Sequence, residues 1–141
     1  MLGRKTYSNS YIDGCRVQVA EQVAAFRVVA DAAGSGKAAK PVAALEPTYF
    51  NALVIVLDAY FVHRLRGVEG KNGNPLNEVR VLTTSLMEHG GLLTVEKAIT
   101  LEPESSVLGL SPGEPVRLTE TQFTTLADAF FAEIETKFVE P

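Results

Sequence analysis

Phe50-Asn51-Ala52-Leu53-Val54-Ile55-Val56-Leu57-Asp58-Ala59-Tyr60-Phe61-Val62-His63-Arg64-Leu65-Arg66-Gly67 is the stretch whose reading decides the fold. From Tyr49 to Val62 it is apolar except at Asn51 and Asp58, and it then runs into cationic side chains. A surface helix keeps one apolar stripe, whereas a helix apolar all round must be covered all round. The reading predicts a helix over 47–66, with Pro47 in its first turn and Gly67 just past its end. Such a helix is the centre of the fold or part of a subunit interface.

Working outward, Ser10 and Asp13 have the spacing of a capping box. Ile12, Cys15, Val19, Phe26, Val29 and Ala33 then recur at helical steps, which predicts a helix over 10–33 ended by Gly34. Residues 34–46 read as a linker rich in Gly, Ala and Lys. C-terminal to the central stretch, Asn74-Pro75 is a cap followed by proline at the first helical position. Leu76, Val79, Leu82 and Leu86 carry the stripe of a third helix over 75–89, stopped by Gly90-Gly91. Thr119 with Gln122 is a second capping box, opening a last helix over 120–138 with Phe123, Leu126, Phe130, Ile134 and Phe138 on one face. Between these helices, Ser111-Pro112-Gly113-Glu114 fits a type II turn, and 107–110 with 115–118 would make a short β-ribbon. Residues 92–100 fit a short helix and an extended strand equally. The expectation is a mainly α, four-helix bundle-like single domain spanning 1–141, with a short β-ribbon or irregular excursion before the last helix.

The bulk properties agree. At 141 residues with 46% hydrophobic and 21% charged residues, the chain suits one core. The net charge of −4 divides into +3 over residues 1–40, −1 over 41–100 and −6 over 101–141. An acidic last third repels phosphates, so nucleic acid is disfavoured as a partner. A lone Cys15 fits a reducing compartment, the first ten residues lack a secretory pattern, and the apolar run of about 14 residues is shorter than a bilayer span needs. A cytoplasmic protein without membrane contact is expected.

The chemistry offers few constellations. Asp58 is the one charge carried into the apolar helix, so it is either a functional carboxylate or the partner of Arg16, Arg27 or Arg80. Tyr60, His63, Arg64 and Gly67 would share one side of the helix end. With Lys71 and Arg80 near the Gly-Asn loop 69–74 they could hold an anion, although cations at a helix C-terminus are favoured by its dipole alone. Gly34-Ser35-Gly36-Lys37 resembles the end of a phosphate-binding loop but lacks the first glycine, at Asp31, and the hydroxyl, at Ala38. His63 and His89 are the only histidines, so no metal site, cofactor or catalytic constellation is expected. Two functional expectations follow. The first is a helical interaction module that forms a homo-oligomer through helix 47–66. The second is a protein binding a small anionic ligand where the end of that helix meets loop 69–74, using Asp58, Tyr60, His63, Arg64, Lys71 and Arg80.

Overall fold

The structure is a computed structural model that describes residues 3–141. Its elements are α1 (Asn9–Ala33), α2 (Ala39–Tyr60), the single turn α3 (Arg66–Glu69), α4 (Pro75–Glu88) and α5 (Glu120–Lys137). The expected mainly α bundle is what forms. The four long helices pack in the order α1, α2, α4, α5 and back to α1, and α2 also touches α5 across the middle. Phe50, Val54, Leu57, Phe61, Phe123, Phe130, Phe131, Ile134 and Phe138 fill the shared interior. These aromatics meet mostly edge-on or tilted, Phe61 against Phe130 and Phe131 and Phe50 against Phe26 and Phe123, as ring quadrupoles prefer.

Three helix limits differ from expectation, each for a local reason. The cap of α1 is Ser8 rather than Ser10: its hydroxyl accepts from the Tyr11 amide at 3.1 Å. Residues just before it are fixed in extended form, because Tyr7 N donates to Phe138 O and Glu140 N to Tyr7 O. Helix α2 begins at Ala39, so the expected linker shrinks to residues 34–38. Apart from Pro41 and Val42 the run Ala38 to Glu46 consists of good helix formers, and Pro41, not Pro47, takes the first-turn position where a missing N–H costs nothing. Pro47 lies inside the helix. At 22 residues α2 is therefore long and apolar enough, by length and composition, to cross a bilayer, which removes the argument from a 14-residue run.

The third correction is the end of α2, at Tyr60 rather than 66. The chain breaks there because Phe61 plugs the core and Arg64 turns back beneath it, donating to Phe61 O at 3.1 Å and Leu76 O at 3.2 Å. His63 and Arg64 are thus on a turn, not on the helix end. The chain re-enters a helical turn at α3, which Gly70 closes at φ +83°.

Helices α4 and α5 start as read. Asn74 Oδ1 accepts from Leu76 N and Asn77 N, with Pro75 next, and Thr119 and Gln122 form the reciprocal box. The type II turn is present, with Gly113 at φ +90° and Glu114 N donating to Ser111 O. Its partner differs. Instead of 107–110 pairing with 115–118, Leu92 bridges Pro115, and Leu93 N donates to Glu114 O at 2.9 Å. Residues 107 and 108 are held elsewhere: buried Glu78 accepts from both their amides, at 2.7 and 3.0 Å. Residues 92–100 are irregular.

One further feature closes the molecule. Residues 4–7 form a strap secured on both sides: Arg4 pairs in parallel with Arg64 and Tyr7 in parallel with Val139.

Candidate functional site

Two places in the fold collect polar chemistry: a buried ionic cluster below the turn after α2, and an open cleft above it.

The cluster is built on the hairpin between α2 and α4. Arg64 has no exposed side-chain surface. Its Nη2 donates to Asp58 Oδ1 at 2.9 Å and its Nε to Glu69 Oε1 at 2.8 Å, while the guanidinium lies 5.5 Å from the Phe130 ring centre. Glu69, also fully buried, receives Arg80 Nη2 at 2.7 Å and Asn77 Nδ2 at 2.7 Å. Asn77 spends its oxygen on Gly73 N, and Lys137 Nζ donates to the Glu69 carbonyl. Two carboxylates and two guanidiniums therefore neutralise one another, as buried charges must. Burial pushes the Glu69 carboxyl up, but hydrogen bonds and charge from Arg80 and Arg64 outweigh it and hold the group below its usual 4.5. Arg80 in turn is held firmly cationic by Glu69 against its own burial.

The arrangement answers which group faces Asp58. The partner is Arg64, six residues on, and not Arg16, Arg27 or Arg80; Arg16 pairs with Glu135 and Arg27 with Glu120. Of the six candidate ligand residues, Asp58, Arg64 and Arg80 come together around Glu69. Tyr60 and His63 lie in the cleft instead, and Lys71 stays exposed with its carbonyl taken by Thr100 N. The loop 69–74 is a structural connection: Gly73, at φ +86°, sits against Thr100, whose carbonyl oxygen would be 2.2 Å from an added Cβ. Sequence reading missed Glu69 and Asn77. The available signal was charge balance, because Arg64 and Arg80 could be buried only with a second carboxylate besides Asp58.

The cleft has a volume of about 450 Å³ and is lined by Arg4 and Tyr7 of the strap, the cap Ser8 and Tyr11 of α1, Ala59 and Tyr60 of α2, Val62, His63 and Glu140. Tyr7 and Tyr11 stack at 5.6 Å, and the Arg4 guanidinium stands 5.3 Å from the Tyr7 ring centre. Tyr11 donates to the Tyr60 carbonyl at the end of α2, and Tyr60 to Gln18 Oε1 at 2.8 Å. Burial, with a hydrogen bond to Cys15, pushes the Tyr11 phenol up to about 12, so it remains a donor at neutral pH. Arg4, His63 and Glu140 form no ion pair among the described residues. Tyr7 is 5% exposed and its hydroxyl has no hydrogen-bond partner among them. None of the described His, Cys, Asp and Glu residues groups in threes as a metal site would require.

Two apolar surfaces complete the inventory. A groove of about 320 Å³ runs between α1 and α5 over Val19, Val23, Phe123 and Phe131. On α2, Pro41, Leu45, Thr48, Ala52, Ile55 and Ala59 follow one another at alternating steps of four and three. Four of these side chains and that of Thr48 are exposed, Ile55 is half-buried, and none is charged. No family model matches the chain, and no curated protein or solved structure does either.

Proposed function

We propose that the protein is a helical interaction module that pairs with a second copy of itself along the outer face of α2. The observation that carries this reading is the uncovered, uncharged row from Pro41 to Ala59. Its four-three spacing is that of a coiled-coil seam, which packs when two such faces meet at about 20°. The row extends about 27 Å at 1.5 Å per residue. Ala52 and Ala59 would let two backbones approach closely. The three charged residues of α2 lie off this row: Asp58 is in the buried cluster, Glu46 accepts the Glu120 amide at 2.8 Å, and Lys40 stands exposed in the first turn beside Pro41. An isologous dimer places each position opposite its counterpart or a near neighbour, so a single charge on the seam is met by a like charge.

The saturated cluster argues in the same direction. Arg64 and Arg80, the cations from which an anion site was expected, are committed to Asp58 and Glu69.

Ala52→Glu tests the proposal. Ala52 is exposed, so the fold should change by no more than about 0.5 kcal/mol. By size-exclusion chromatography with light scattering, the parent is expected at twice the monomer mass at micromolar concentration and the variant at the monomer mass. A parent that is strictly monomeric there refutes the proposal.

A further inference from the structure

We infer that the cleft at the end of α2 binds a small aromatic zwitterion of the amino-acid type, with its carboxylate toward Arg4 and His63 and its ammonium toward Glu140. The volume, about 450 Å³, lies within the range of about 300–1,000 Å³ common to small-molecule sites. The walls are built rather than incidental. Three segments distant in sequence, 4–11, 59–63 and the stretch at 140, meet there, and their backbones are cross-bonded: Arg4 N to His63 O at 2.7 Å, Leu65 N to Arg4 O at 2.9 Å, and Glu140 N to Tyr7 O at 3.0 Å.

The charges set the ligand's polarity. Arg4 and His63 are neighbours through the Arg4–His63 backbone bond, and both are exposed. The start of α1, with Ser8 at the cleft and no acidic residue in its first turn, adds the positive end of a 25-residue helix. Glu140 lines the same cleft without forming an ion pair with Arg4 or His63. Opposite charges carried on one ligand carbon would fit between them. The Tyr11 ring, 43% exposed and backed by the buried Tyr7, gives a flat aromatic group its surface together with the half-buried Tyr60. The cleft and the α2 seam share Ala59, but Arg4, His63 and Glu140 lie outside the seam, so ligand binding and α2 pairing are tested separately.

Titration calorimetry with L-phenylalanine, 3-phenylpropionate and phenethylamine separates the parts. L-phenylalanine is expected to bind at millimolar or lower concentration, more tightly than either half-probe. Arg4→Gln should weaken it at least tenfold, as the loss of one charge-assisted hydrogen bond implies. Glu140→Gln should weaken L-phenylalanine about tenfold and leave 3-phenylpropionate unchanged. Both side chains are exposed, and the strap's bonds are made by backbone, so an unchanged melting midpoint verifies folding in each variant. Absence of binding heat for L-phenylalanine at millimolar concentration overturns the inference, and so does an Arg4→Gln protein with parental affinity.

Discussion

Replacing Glu69 by Gln is the sharpest perturbation of this fold. The side chain occupies the same volume, so packing is preserved and only charge and hydrogen bonding change. In the parent, Asp58 and Glu69 balance Arg64 and Arg80 with no net charge left in the cluster. The variant leaves one positive charge uncompensated beside Arg64, whose side chain is fully buried. It also turns an amide NH2 toward donors, because Glu69 accepts from Arg64, Arg80 and Asn77 and a carboxamide has only one acceptor oxygen. Removing one partner from a buried pair costs about 3–5 kcal/mol, a large part of the total of about 5–15 kcal/mol for a domain. Arg80→Met should cost less, since Arg80 is 19% exposed and Glu69 keeps Arg64 and Asn77. The double variant restores neutrality, so its loss should fall short of the sum of the single losses by more than about 1 kcal/mol. Equilibrium urea denaturation of the four proteins measures the cycle. A loss below about 1 kcal/mol for Glu69→Gln, or single losses that add within about 0.5 kcal/mol, would refute the argument. The pH dependence supplies a sign. Glu69 is held below 4.5 in the fold, so its contribution is fully present above that value and disappears as pH falls through the folded value. Glu78, raised by burial, has the opposite slope, but it is common to both proteins and cancels. The stability gap between parent and Glu69→Gln should therefore narrow on acidification.

Two further outcomes follow from the same geometry. Tyr7→Phe deletes a buried hydroxyl without a partner, so it should leave the midpoint unchanged or raise it; a loss above about 1 kcal/mol would mean that the hydroxyl is bonded in solution. Gly73→Ala should cost more than 2 kcal/mol or so, since it combines a positive φ with a Cβ driven into the Thr100 carbonyl. Near-parental urea midpoints for that variant would show that the loop can move.

Helices were legible where caps and periodicity coincided. Asn74-Pro75 and Thr119-x-x-Gln122 each opened a helix at the residue read, and Phe123 to Phe138 lie on the buried side of α5 and its end. Legibility failed where a tertiary contact outweighs a local signal. Ser8 rather than Ser10 caps α1 because Tyr7 is pinned by residues 138–140, which no window around Ser10 contains. The end of α2 is set by what Arg64 must reach, Asp58 behind it and Glu69 ahead. To a periodicity count the same residues look like a helix running on to 66. The all-round apolar pattern was read correctly as composition, but its inference of complete cover was not met among the described residues, because one side of α2 stays open. Of the cleft, only Tyr60 and His63 were legible in the sequence: Arg4, His63 and Glu140 lie 59 and 77 positions apart, and only the strap makes them neighbours.

The strap also imposes an order in time. Tyr7 is bonded to residues 138 and 140, so the loop that its placement closes spans almost the whole described chain. Contacts of such long range are the slowest to form and carry the largest closure entropy. During synthesis, residues 4–7 emerge early; Arg4 meets its partners at 63–65 midway, yet the Tyr7 backbone has none until residues 138–140 have left the ribosome. Until then Tyr7 lacks the bonds that fix it beside Phe61, and the cleft lacks its Glu140 wall. Helices α1, α2 and α4 are all synthesised before that point, but any binding that depends on the complete cleft begins only once translation has passed it.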